Sequence, residues 1–123
     1  MTRALLVVGA AVALLACDNL SQAGTRATAP ARVQVVAREF SFSLSRLRVK
    51  TGPAVVQLAN FGEDPHDLRL QCHGSRHVAG IGEVAPGERA DLTLRLPPGR
   101  YSLWCSVGNH RKRGMSATLV VTR

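Results

Sequence analysis

Aromatic side chains are scarce in this 123-residue sequence, which holds one Trp, one Tyr and three Phe. A surface that stacks nucleobases needs several in series, so nucleic acid is not an expected partner. Acidic residues are also few, 8 against 16 Lys and Arg, giving a formal charge of +8. Such a field attracts an acidic protein or an anionic membrane, fixing the partner's sign but not its identity. Long apolar runs are missing: Ala4 to Ala16 is thirteen residues, whereas a bilayer-spanning helix needs about twenty. Just over a hundred residues follow it, enough for one compact domain with one small core, which excludes the two-domain cleft of many enzymes. No internal repeat, low-complexity block, nucleophile triad or acid–base pair is visible, so an enzyme is not expected.

What is present begins with Arg3 ahead of that apolar run, the proportions of an export signal. Leu14-Leu15-Ala16-Cys17 resembles a lipobox, in which a bacterial peptidase cleaves before a cysteine that receives lipid. The expected division is residues 1–16 as a lipoprotein-type signal peptide, 17–31 as lipidated Cys17 with a flexible Ser, Thr, Gly and Pro tether, and 32–123 as the folded domain. Ordinary secretory cleavage and a buried helix are the alternatives. Asp18 resembles an inner-membrane retention signal. In a cell with two membranes, this places the protein in the envelope, anchored on the periplasmic side of the inner membrane. Loss of Arg3 leaves a mature charge of +7.

Beyond Arg32 apolar residues alternate with period two, as in Val33/Val35, Phe40/Phe42/Leu44 and Leu47/Val49, marking strands with one buried face. Thr51-Gly52-Pro53, Phe61 to Pro65, Ala85-Pro86-Gly87 and Pro97-Pro98-Gly99 punctuate further strands over 54–60, 66–71, 89–96, 101–105 and 115–121. Seven or eight short antiparallel strands predict an all-β sandwich of two sheets. Residues of like parity share a sheet face. Cys105 therefore follows Tyr101 and Leu103 inward, His66 lies with Leu68 and Leu70, and Met115 lies with Leu119 and Val121.

The segment Cys105 to Met115 spaces three soft-metal ligands as C-x4-H-x4-M, with His110 in the middle. That spacing fits neither a helical nor a strand face, so convergence requires a loop, which Gly108 and Gly114 permit. His66 is the candidate fourth ligand. Two imidazoles, a thiolate and a weak thioether form the blue-copper set: sulfur holds Cu(I), and imidazole also suits Cu(II). Structural zinc more often recruits four strong ligands.

Asn60-Phe-Gly-Glu-Asp-Pro-His66, Ala85-Pro-Gly-Glu88, Pro98 to Cys105 and Gly114-Met115 together resemble the small bacterial cupredoxins related to plastocyanin and azurin. The resemblance covers nearly all of residues 32–123. It implies a Greek-key sandwich and one copper ion cycling between Cu(I) and Cu(II), with His66, Cys105 and His110 as strong ligands and Met115 as the axial one. The chain would be a monomeric one-electron carrier, with surface-directed His110 as the electron route. Copper storage or delivery with the same ligands is the second reading, and a metal-free interaction domain the third. Many cupredoxins carry Asn after the first His to tie the ligand loops together; here the residue is Asp67, which leaves that tie open.

Other polar residues have simpler readings. Cys72 and Cys105 would lie at opposite ends of the structure if 66–72 is one strand, about 20 Å apart at roughly 3.3 Å per residue, too far for a disulfide. Cys72 is then a small buried residue. His73 and His77 flank a loop without an evident third ligand and are read as surface histidines. Arg111-Lys112-Arg113 lies between proposed ligands and is the expected docking patch for an acidic redox partner.

Overall fold

The computed structural model describes residues 27–123. The signal peptide, Cys17 and all but the end of the tether therefore lie outside the described residues. The order is β1 (Ala31–Arg38), β2 (Ser41–Leu44), β3 (Arg48–Lys50), β4 (Gly52–Asn60), β5 (His66–Cys72), β6 (Val78–Val84), β7 (Arg89–Leu96), β8 (Gly99–Trp104) and β9 (Ser116–Thr122). One sheet has the order β2-β1-β4-β7 and the other β3-β9-β8-β5-β6. No described helix is long and apolar enough to cross a membrane.

Alternating side chains from each sheet close the core. Val33, Val35 and Ala37 of β1 and Ala54, Val56 and Leu58 of β4 meet Leu68, Leu70, Leu103, Leu119 and Val121 from the opposite sheet, all essentially water-free. Removing this apolar surface from water is the main force holding the sheets together.

Two features depart from the sequence reading. Among the described residues the sandwich has nine strands because β6 (VAGIGEV) is also a strand. Its two glycines weaken the strand signal; it forms by pairing antiparallel with β5 along the sheet edge. The sheets are also mixed, since β1 runs parallel to β4 and β3 parallel to β9. Period-two patterning fixes which face is buried but contains nothing about the direction of the neighbouring strand.

β5 spans the domain and presents His66 at one end and Cys72 at the other. Its pairing with β6 shifts register between His66 and Leu68, a bulge-like irregularity that re-aims side chains. His66, Asp67 and Leu68 are consequently buried in succession, where simple alternation would expose Asp67.

Candidate metal centre

The chain between β8 and β9 folds back through a series of tight turns. His110 N–H donates to the Val107 carbonyl (3.0 Å), Gly114 N–H to Arg111 (3.1 Å), Met115 N–H to His110 (3.1 Å) and Cys105 N–H to Met115 (3.2 Å). Gly108 and Gly114 have φ of +49° and +118°, in the region that favours glycine. A Cβ on Gly114 would also press on the Phe40 carbonyl at 3.1 Å. These turns bring Cys105 and His110 together.

β5 brings the third group. His66 Nδ1 lies 3.2 Å from His110 Nδ1, which lies 3.7 Å from Cys105 Sγ. Donor atoms of His66, Cys105 and His110 all fall within 4.8 Å of one another, and these residues form the only such His, Cys, Asp or Glu group among the described residues. Metal–nitrogen and metal–sulfur bonds of roughly 2.0 and 2.3 Å, as at zinc, would set coplanar donors about 3.5–3.7 Å apart, so the spacing fits a metal ion. Two Nδ1 atoms facing one another share at most one proton, whereas a cation satisfies both lone pairs. Met115 is fully buried and joined through its backbone to both Cys105 and His110.

Burial pushes the Cys105 thiol up from its ordinary value; backbone N–H groups of Asp67 and Val107 oppose that shift, while the Asp67 charge adds to it. A metal would supply the positive charge that favours the thiolate, and its binding would release the thiol proton.

Asp67 answers the question raised by its position. Its Oδ1 accepts the Ser106 backbone N–H at 2.6 Å, its Oδ2 accepts the Ser106 hydroxyl, and Arg69 Nη2 lies 3.4 Å from Oδ2. Aspartate therefore ties the His66 strand to the residue after Cys105. Asn60 performs a similar service behind His66. Its Nδ2 donates to the carbonyls of Asp64 (2.8 Å) and Val84 (2.9 Å), and its Oδ1 accepts Gly62 N–H at 2.9 Å, pinning the loop into β5.

Glu39, in the turn between β1 and β2, is the functional neighbour that sequence reasoning missed. Its Oε1 lies 3.0 Å from His66 Nε2 and accepts the N–H groups of Glu63 and Asp64 at 2.8 Å each. The Asp64 N–H chiefly, with that of Glu63 and the His66 ring, holds its carboxyl near 2. No motif spacing connects residues 39 and 66; only the fold does.

His110 is more enclosed than its mid-loop position suggests, being 8% exposed, but His66 is 0% exposed, so His110 remains the more accessible of the two imidazoles. Phe40 lies against its ring with centroids 5.0 Å apart, and Asp64 Oδ2 lies 3.6 Å from Nε2. Arg111, Lys112 and Arg113 are exposed around it. Arg111 stacks on Trp104 (4.5 Å) and Arg113 on Phe40 (3.7 Å), which restricts where these charges stand. His73 and His77 are exposed, and His73 meets Ser102 Oγ at 2.9 Å. Both described cysteines are free, with Cys72 half-buried.

No family model matches the sequence, and no curated protein matches it. Solved structures do match in shape. Dithionite-reduced auracyanin from Roseiflexus castenholzii aligns with a TM-score of 0.64 at 16% identity, over 77% of this chain and 99% of that one. Auracyanin A, a "blue" copper protein from Chloroflexus aurantiacus, aligns at 0.63 and 16% identity, over 76% and 100%. A multicopper oxidase aligns at 0.57 and 18% identity, over 79% of this chain but 46% of that one. The chain has the cupredoxin fold.

Proposed function

We propose that this chain is a copper protein that carries one electron at a mononuclear site. The observation behind this reading is the convergence of His66, Cys105 and His110 donor atoms within 4.8 Å in a buried pocket. These three residues would hold copper strongly, and the buried Met115 thioether would be the weak fourth ligand. Bound there, copper supplies a Cu(I)/Cu(II) couple; sulfur favours the reduced ion, and imidazole also accommodates the oxidised one. The protein's contribution is to keep the donors in place. The backbone bonds across residues 105–115, the Asp67–Ser106 tie and the Asn60 bonds resist rearrangement when the charge changes.

His110 provides the shorter way out, since its ring retains some exposure and His66 has none. Its surroundings are basic, so Arg111, Lys112 and Arg113 form the docking face for an acidic redox partner. Residues 1–16 read as an export signal ahead of a lipidated Cys17 support a location for this carrier in the cell envelope as a lipoprotein.

The test is reconstitution of the domain with copper. Electron transfer predicts one copper per chain, intense visible thiolate-to-copper absorption that disappears reversibly on reduction, and loss of both absorption and reversible redox response in Cys105→Ser. A colourless site that takes only Cu(I) would overturn the carrier in favour of storage or delivery. No stoichiometric copper would leave a metal-free interaction domain.

A further inference from the structure

Behind His66, on the side away from Cys105 and His110, stands a carboxylate assembled with some care by the fold. Glu39 Oε1 receives two backbone N–H groups and faces His66 Nε2 at 3.0 Å. The approach depends on Gly62, because a Cβ there would collide with the carboxylate. The Glu39 side chain is 28% exposed and His66 is 0% exposed, so the contact is sheltered at the imidazole end.

We infer that Glu39 is the positioning and tuning residue of the metal centre, fixing the His66 tautomer and placing a negative charge one imidazole away from the metal. An ionised carboxylate only accepts hydrogen bonds, and a neutral imidazole donates from one nitrogen. Facing Glu39, His66 must carry its proton on Nε2. Nδ1, the atom that faces His110, is left with its lone pair directed at the site. A carboxylate behind a ligating histidine also makes it a stronger electron donor. That charge stabilises Cu(II) more than Cu(I), because the oxidised ion carries the larger positive charge. Glu39 thus holds the ligand ready in the metal-free protein and lowers the reduction potential of the loaded one.

The tuning half rests on the proposed copper reading; the tautomer half does not, and the experiment separates them. Wild type, Glu39→Gln and Glu39→Ala are compared, first without metal by ¹⁵N NMR of the His66 ring, then with copper by potentiometry and visible spectroscopy. Gln keeps an acceptor oxygen and removes the charge; Ala removes both. Wild type and Glu39→Gln should show the Nε2–H tautomer, and Glu39→Ala a mixture. With copper, Glu39→Gln should keep its spectrum while the Cu(I)-to-Cu(II) ratio at a fixed potential rises about tenfold, ~59 mV for one electron. Glu39→Ala should lose copper affinity by roughly 10- to 100-fold. A purely structural Glu39 would alter thermal stability and leave the Glu39→Gln potential unmoved, which overturns tuning. An Nδ1–H His66 in metal-free wild type overturns positioning. Failure of wild type to bind copper would overturn the copper reading and tuning, leaving the NMR result to decide positioning. If Glu39→Ala does not fold, Glu39→Gln carries the test.

Discussion

The two ends of β5 hold the same residue types and do different things. At one end His66 meets Cys105 and His110; at the other stand Cys72, His73 and His77, whose donor atoms form no such group among the described residues. The first end is covered by the turns of residues 105–115, by the Asp67–Ser106 tie and by the loop that Asn60 and Glu39 secure. The second opens into a groove lined by Leu70, Cys72, His77, Leu96, Pro97 and Tyr101. Cysteine and histidine in proximity along a chain are therefore insufficient. A site forms where loops from different strands are held over one strand end, with their polar groups otherwise satisfied.

The largest expected difference between the ends is in metal binding. Cys105→Ser should abolish the visible absorption of the copper-loaded protein, whereas Cys72→Ser should leave its intensity and position unchanged. Equal loss from both substitutions, in spectra recorded at matched copper content, would break the distinction.

Stability should also separate the ends. Asn60→Ala removes three side-chain hydrogen bonds, including one to the Val84 carbonyl in a fully buried setting, and should cost about 1–3 kcal/mol in denaturant unfolding of the metal-free protein. At the far end, Tyr101→Phe removes only the bond from the Tyr101 hydroxyl to the Pro97 carbonyl (2.7 Å) and should cost about 1 kcal/mol.

Tyr101 also gives that end a pH signature. Burial chiefly, assisted by Cys72, raises its phenol from 10.0 to about 12. The folded state therefore retains a proton that the unfolded state has lost. Its contribution is fully present below pH 10, falls as pH rises through the interval, and is gone above about 12. Unfolding free energies across that interval should decline less steeply in Tyr101→Phe than in wild type; equal slopes would show that the phenol does not contribute.

The smallest effect concerns long-range charge. Oxidation of the reduced copper protein by anionic ferricyanide should slow several-fold in Arg111→Glu/Lys112→Glu at low salt. The difference should shrink once the screening length falls to about 10 Å near 0.1 M salt. Arg95→Glu, in the groove at the far end, should leave the rate close to wild type. Slowing by Arg95→Glu as large per unit of charge as that of the double variant would mean that net charge, and not a local docking face, governs encounter.

Much of this arrangement was legible before folding. Strand parity placed Cys105, His66 and Met115 inward, and all three are water-free. The 105–115 spacing demanded a loop, which Gly108 and Gly114 close. β6 was illegible because its glycines weaken the strand pattern and its sheet position comes from β5. The burial of Asp67 was hidden because a register shift interrupts alternation.

By itself, the sequence determined the all-β class, the faces of most strands and the residue types of the candidate centre, because side-chain direction in a strand and the reach of a short loop are local properties. Tertiary structure decided the parallel pairings, the use of Asp67 to bind Ser106 and the placement of Glu39 behind His66. Those depend on which distant segments lie side by side, and neither periodicity nor spacing along the chain carries that information.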